Sequence, residues 1–214
     1  MEELQKKIQK VDCFPTSIYY YNYNDWISSL NSVCDQYIDI SKKKYKDRII
    51  NGNDFGLNYS SEFKDLSSDE RLNEFKNHIF KTSFDILDEQ GYNMSLYNLA
   101  LKHMWVQEFP KSGGGHHNSH VHSNSNISGF YFLKCSEKTS YPLFHDCRIM
   151  KKMTQLIEKN RESITNASEQ ISFGIQPGMF IFFNSYLEHQ FTLDNGKDEF
   201  RFIHFNIQAI EKSI

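Results

Sequence analysis

The sequence predicts an α+β protein in which helices pack on one side of a β-sandwich or open barrel. Three observations point there. Two segments of the first half carry apolar side chains at helical spacing, the second half breaks into short aromatic and β-branched runs, and no repeat or linker divides the 214 residues. A chain of this length buries one sizeable core, so a single domain over 1–214 is expected, with 1–95 as helical support and 96–214 as the β core.

The elements follow in order. After an extended piece, "CFPTSIYYY", residues Asn24 to about Lys44 place Trp26, Ile27, Leu30, Val33, Cys34, Tyr37 and Ile38 on one helical face, with Asn24 or Asp25 placed to cap it. Polar, glycine-containing sequence from Asn51 to Leu66 reads as a loop. In the second helix Ser67 and Glu70 form a capping-box pattern, Leu72, Phe75, Ile79, Phe80, Ile86 and Leu87 make the stripe, and Gly91 stands where it would end. From Leu96 the period changes. "LALKHMWVQEF", "ISGFYFLK", "ISFGI", "MFIFF" and "EFRFIHFNIQ" read as strands separated by Gly, Pro, Asn and Ser, with a charged segment at about Lys151 to Ser168 that suits a short helix.

Hydrophobic residues make up 39% and aromatics 15% of the chain, including 18 Phe and 12 Tyr, which marks a globular protein and not a disordered one. A net charge of -3 with mixed signs gives no field for nucleic acid, and the runs Lys42 to Lys44 and Lys151 to Lys152 read as solvated faces. The opening MEELQKKIQK has no apolar signal-peptide core, and no window reaches the length of a membrane span. A cytoplasmic protein with no membrane partner is expected. Cys13, Cys34, Cys135 and Cys147 are widely spaced, without a Cys-x-x-Cys pair, so neither a disulfide framework nor a thiolate zinc site is indicated.

The chemistry concentrates in "GGGHHNSHVHSNS", where four of nine histidines fall in seven positions. On a strand, residues two apart share a face, so His120 and His122 can aim at one point, whereas His117 and His120 need a turn to converge. Imidazole suits zinc, copper, iron and nickel, and a pair from one strand needs a third ligand from elsewhere to make a catalytic site. A bare His-x-His is also common in polar loops. A second feature tilts that balance. His189 follows an aromatic strand in "QPGMFIFFNSYLEHQF", and Arg201 lies in "EFRFIHFNIQ", sharing a face with Ile203, Phe205 and Ile207. An arginine facing a barrel interior is costly unless an anion meets it; the alternatives are an internal carboxylate such as Asp146, or solvent. His204, on the opposite face, is not expected to reach the same metal, and His103 reads as a core histidine.

A His-x-(Asp/Glu/His) pair, a distant His and then Arg or Lys resembles the iron(II)- and 2-oxoglutarate-dependent dioxygenases. More narrowly, "CFPTSIY", "MWVQEF", "HNSHVHSNSNISGFYFL", "FHDCR", "PGMFIFFNSYLEHQF" and "FRFIHFN" resemble a prolyl-hydroxylase-like 2-oxoglutarate/iron(II) oxygenase family of bacteria and marine phages. The resemblance covers nearly the whole chain, and the middle and last blocks are its specific part.

It implies a double-stranded β-helix, or jelly roll, with the site in its mouth. It implies Fe(II) and 2-oxoglutarate as cofactors, O2 as cosubstrate, and a C–H bond of a peptide, amino acid or small metabolite as target, with succinate and CO2 released. His120 and His189 would take the places of the first and distal iron ligands. His122 stands where most of the superfamily carries aspartate, with Asp146 as the nearest alternative carboxylate. Arg201 would hold the distal carboxylate of 2-oxoglutarate through a bidentate fork, with Tyr131, Asn184 and Tyr186 lining the pocket. Two other readings compete: a zinc-dependent three-histidine hydrolase or lyase, and a cupin-like barrel that binds metal or ligand without catalysis.

Overall fold

The computed structural model describes residues 10–61, 65–154, 156–172 and 174–213. Residues 1–9 and 62–64, parts of the opening and of the 51–66 loop read above, lie outside them, as do Gln155 and Phe173 of the charged segment and of "ISFGI".

The first helical stripe opens with a 3-10 turn at Asn24–Trp26 and continues as α1, Ile27–Lys43, followed by a short α2, Lys46–Ile50. Neither Asn24 nor Asp25 caps it through a side chain; the residue ahead of the turn is Tyr23, in extended backbone. Leu30, Val33, Cys34, Tyr37 and Ile38 are buried, as their spacing predicts. The second stripe is α3, Asn73–Glu89. Its entry is not the expected Ser67/Glu70 box. Two 3-10 turns precede it, in which the Asp65 carboxylate accepts from the Ser67 amide (2.9 Å) and the Asp69 carboxylate from the Arg71 amide (3.0 Å). Gly91, at φ +92°, ends the helix in the left-handed conformation that glycine adopts without strain.

The strands are β1 (Ile18–Asn22), β2 (Tyr59–Ser60), β3 (Tyr97–Phe109), β4 (His117–His120), β5 (Ile127–Lys134), β6 (Pro142–His145), β7 (Gln170–Ile171), β8 (Met179–Asn184), β9 (His189–Phe191) and β10 (Phe200–Glu211). They form a six-stranded sheet, β1-β8-β5-β10-β3-β2, and a four-stranded sheet, β4-β9-β6-β7, antiparallel at every pair. This is the α+β double-stranded β-helix, or jelly roll. The larger sheet takes two strands, β1 and β2, from the portion expected to serve as helical support. Among the described residues the charged segment shows a 3-10 stretch, Ile149–Thr154, that runs into its start. Among the described residues no helix is long and apolar enough to cross a membrane.

Two apolar layers position everything else. One lies between the helices and the outer face of the large sheet: Leu30, Ile38, Phe75 and Ile79 meet Tyr131, Phe180, Phe182, Ile203, Phe205 and Ile207. The other fills the space between the sheets with Phe109, Phe130, Phe132, Phe144, Phe183, Phe191, Phe200 and Phe202. The central strands β5, β8 and β10 are therefore buried on both faces.

Candidate metal centre

Cross-strand pairing builds the site. β4 runs beside β9 with His120 opposite His189, and the chain then leaves the strand so that the His122 amide donates to the Ser185 carbonyl at 3.0 Å. The ligating nitrogens of His120, His122 and His189 all lie within 4.8 Å of one another, and His122 Nε2 is 3.3 Å from His189 Nε2. Nitrogens bound about 2.1 Å from one ion sit roughly 3 Å apart, so a small ligand movement closes the set on a metal. The imidazole set fits Fe(II) and leaves room for exogenous ligands.

The rings are oriented from behind. His120 Nδ1 lies 2.7 Å from the Asn118 carbonyl and His189 Nδ1 lies 2.9 Å from the Leu187 carbonyl. A carbonyl only accepts, so both Nδ1 atoms carry the proton and both Nε2 lone pairs face the centre. Phe130, Phe144 and Phe183 wall off His189, with ring centroids 5.6, 6.1 and 4.7 Å away. Burial, with smaller effects from neighbouring histidines, lowers His189 to about 3 and His122 to about 4. Neutral rings are the form a metal takes.

Two more histidines belong to this neighbourhood. His117 packs against Phe109, Phe191 and His120, and burial lowers it to about 4. His204, not expected to reach the metal, is outside the group of three whose nitrogens converge, yet its ring centroid lies 4.5 Å from that of His122 and 4.2 Å from that of Trp105. Strand alternation does place Arg201 and His204 on opposite faces; it is His204 that faces the site.

Arg201 faces the helices. Its guanidinium donates to Glu108 Oε2 from Nε (2.7 Å) and to Asp35 Oδ1 and Asn31 Oδ1 from Nη1 (2.7 and 3.0 Å). Glu108 stands opposite it on β3 and also meets Lys42 at 2.6 Å, so Lys42 is not simply a solvated charge. Tyr131 and Asn184 also turn away from the histidines. The Tyr131 hydroxyl donates to the Tyr23 carbonyl (2.7 Å), and the Asn184 amide exchanges hydrogen bonds with that of Gln90, the residue that follows α3. None of the three faces the metal centre, because each occupies the outer, helix-covered phase of its strand. Asp146 is tied to Arg148 and Lys151 (2.8 and 3.0 Å), and His122 is the residue that joins the cluster.

The inward positions flanking Arg201 belong to Phe200 and Phe202. Lys134, next at two-residue spacing after Phe130 and Phe132, pairs with Glu199 at 2.6 Å. Around the histidines the inward polar groups of the large sheet are neutral: Gln107, Ser128, His204 and Asn206. The Arg201 guanidinium is thus turned away from the histidines and held by Glu108, Asp35 and Asn31, in contrast to the inward position expected from the sequence.

Comparison with known proteins bears on the same half of the chain. The family described as "Putative 2OG-Fe(II) oxygenase" matches residues 103–206, a span that contains all three clustered histidines and Arg201. No curated protein matches by sequence. Among solved structures, a prolyl-4-hydroxylase from Pseudomonas putida is similar at 10% identity and TM-score 0.54, covering 90% of this chain and 93% of its own. A non-heme alpha ketoglutarate dependent carbocyclase, SnoK, from nogalamycin biosynthesis is similar at 6% identity and TM-score 0.58, covering 92% and 82%. An oxidoreductase of the 2OG-Fe(II) oxygenase family from Burkholderia pseudomallei gives 10% identity and TM-score 0.41 over 67% of this chain, which spans about half, 54%, of that protein's length. At these identities the likeness to the first two, with TM-scores of 0.54 and 0.58, speaks for the fold alone.

Proposed function

We propose that the chain is a dioxygenase of the 2OG-Fe(II) oxygenase family that residues 103–206 match, with Fe(II) and 2-oxoglutarate as cofactors, and that it hydroxylates a C–H bond of a peptide, amino acid or small metabolite. The observation that carries this reading is the convergence of His120, His122 and His189. What iron, 2-oxoglutarate and O2 supply when bound is oxidative decarboxylation to succinate and CO2 coupled to oxygen insertion into substrate.

The chain's own residues have three tasks. His120, His122 and His189 would hold the ion. Because imidazole ligates as a neutral group, a three-histidine site would keep the full double charge of the metal, where one carboxylate would have halved it, and this favours anionic ligands in the remaining positions. Phe130, Phe144 and Phe183 exclude water from the buried side of His189. Val121, between His120 and His122 in the chain, and Tyr186, three residues before His189, are both exposed and would meet substrate at the mouth. We take the whole chain as one such domain, acting in the cytoplasm on a substrate other than nucleic acid, as the net charge of -3 favours.

An anaerobic titration of the apoprotein with Fe(II), then 2-oxoglutarate, tests this. A visible charge-transfer band that needs both, succinate formation on admitting O2, and loss of the band in His189→Ala are expected. Hydrolytic activity with zinc alone, and no band, would refute it.

A further inference from the structure

Of the three clustered histidines, His120 and His189 each have a backbone carbonyl behind the ring, and His122 has none among the described residues. Its Nδ1 lies 3.4 Å from the side-chain amide of Asn206, which is buried at 3% exposure. We propose, on the basis of the metal-site reading above, that Asn206 is a positioning residue that sets which nitrogen of His122 faces the metal.

The argument is one of donors and acceptors. With the amide nitrogen of Asn206 toward His122, Nδ1 must accept, the ring proton sits on Nε2, and that Nε2–H points at His189 Nε2, 3.3 Å away. A ring in that tautomer offers the metal no lone pair. A half-turn of the amide brings its oxygen to His122, Nδ1–H donates, and Nε2 is freed. No proton is gained or lost; the ring proton changes nitrogen.

The rest of the network accommodates either orientation. In the first, Asn206 Oδ1 accepts from Ser128 Oγ (2.6 Å) and from His204 Nε2 (3.1 Å). In the second, Nδ2 donates to both. Ser128 then turns its hydroxyl proton to Ser185 Oγ at 2.8 Å, and His204 carries its proton on Nδ1. Each of these residues keeps at least one partner within the network in both states, while the second turns the Ser185 hydroxyl proton and the His204 Nδ1–H away from it. Ser185 also accepts the His122 amide through its carbonyl, so the same residue fixes the backbone of the ligand and receives the end of the relay. The network thus assigns a role to His204 as well: it absorbs the amide flip, and it is not a fourth ligand.

The test is Co(II) affinity, measured by competition with a chromophoric chelator, for wild type, Asn206→Ala and Asn206→Asp, alongside thermal melts. Aspartate accepts only, so it can hold Nδ1–H and cannot hold the other tautomer. Asn206→Ala is expected to weaken Co(II) about 10- to 100-fold, and Asn206→Asp to match or exceed wild type. Nitrogen NMR of the Zn(II)-loaded wild type should show His122 protonated at Nδ1. Equal affinity in Asn206→Ala, an Asn206→Asp variant that melts like wild type yet binds as weakly as the alanine form, or a His122 proton on Nε2 in the loaded protein would overturn the assignment. A wild type that binds no Co(II) would count against the metal centre itself, a separate failure.

Discussion

Replacing Arg201 by alanine separates two roles for that residue, and the structure predicts a folding defect. The guanidinium is 2% exposed and bridges Glu108, itself 3% exposed, to Asp35 and Asn31 on α1. Removing one partner of a buried pair costs about 3–5 kcal/mol, because the remaining charge is left desolvated. Here Lys42 stays within 2.6 Å of Glu108, which holds the loss near the lower figure, and the half-exposed Asp35 adds little. About 3 kcal/mol lowers the melting temperature of a chain this long by roughly 6–12 °C. The assay is a thermal melt paired with 2-oxoglutarate binding to the Fe(II)-loaded protein below the transition. The expected result is a large drop in melting temperature with binding retained. A variant that melts within 2 °C or so of wild type, or one that keeps its stability and loses 2-oxoglutarate, would show the reasoning to be wrong.

Three further outcomes are expected. Burial holds His122 and His117 at about 4 and His189 at about 3, below the ordinary value of 6.5, so the unfolded chain takes up protons first as pH falls. Stability of chelator-treated protein is then full above pH 6.5 and declines toward pH 4, by about 3 kcal/mol for His122 alone; urea midpoints that stay flat across that window would contradict it. Gly129→Ala should destabilise by about 1–3 kcal/mol, since its methyl would meet the Phe205 ring and the Ile181 carbonyl oxygen, the latter at 2.6 Å; an unchanged melt would show that Phe205 can yield. Tyr131→Phe removes the hydrogen bond to the Tyr23 carbonyl and should cost about 1 kcal/mol, while Co(II) affinity stays as in wild type; a change in affinity would place Tyr131 nearer the metal than the fold does.

What the sequence made legible and what it hid have one physical origin. The helical stripes of α1 and α3 show a clear apolar face against a polar one, so their buried residues can be read directly. His120 and His122 share a strand-like spacing, and His189 follows a strand whose aromatic content marks it plainly. The face on which Arg201, Tyr131 and Asn184 lie could not be read in the same way. β5, β8 and β10 are apolar on both sides, one against the helices and one against the small sheet, so alternation shows which residues oppose each other without showing which side holds the site. Counting Arg201 as inward necessarily put His204 outward, and both assignments inverted together. Asn206 carried no signal, because a buried amide is recognised by its neighbours and not by any pattern of its own.

The pairing of β4 with β9 sets three residues of travel, His117 to His120, against two on the facing strand, Phe191 to His189. That single surplus residue is why His117 and His120, of opposite parity, turn the same way. The orientation of the cluster is thus stored in chain length: shortening the stretch by one, for instance by deleting Ser119, would swing one imidazole outward while leaving every histidine in the protein, a loss no scan of single substitutions would mimic.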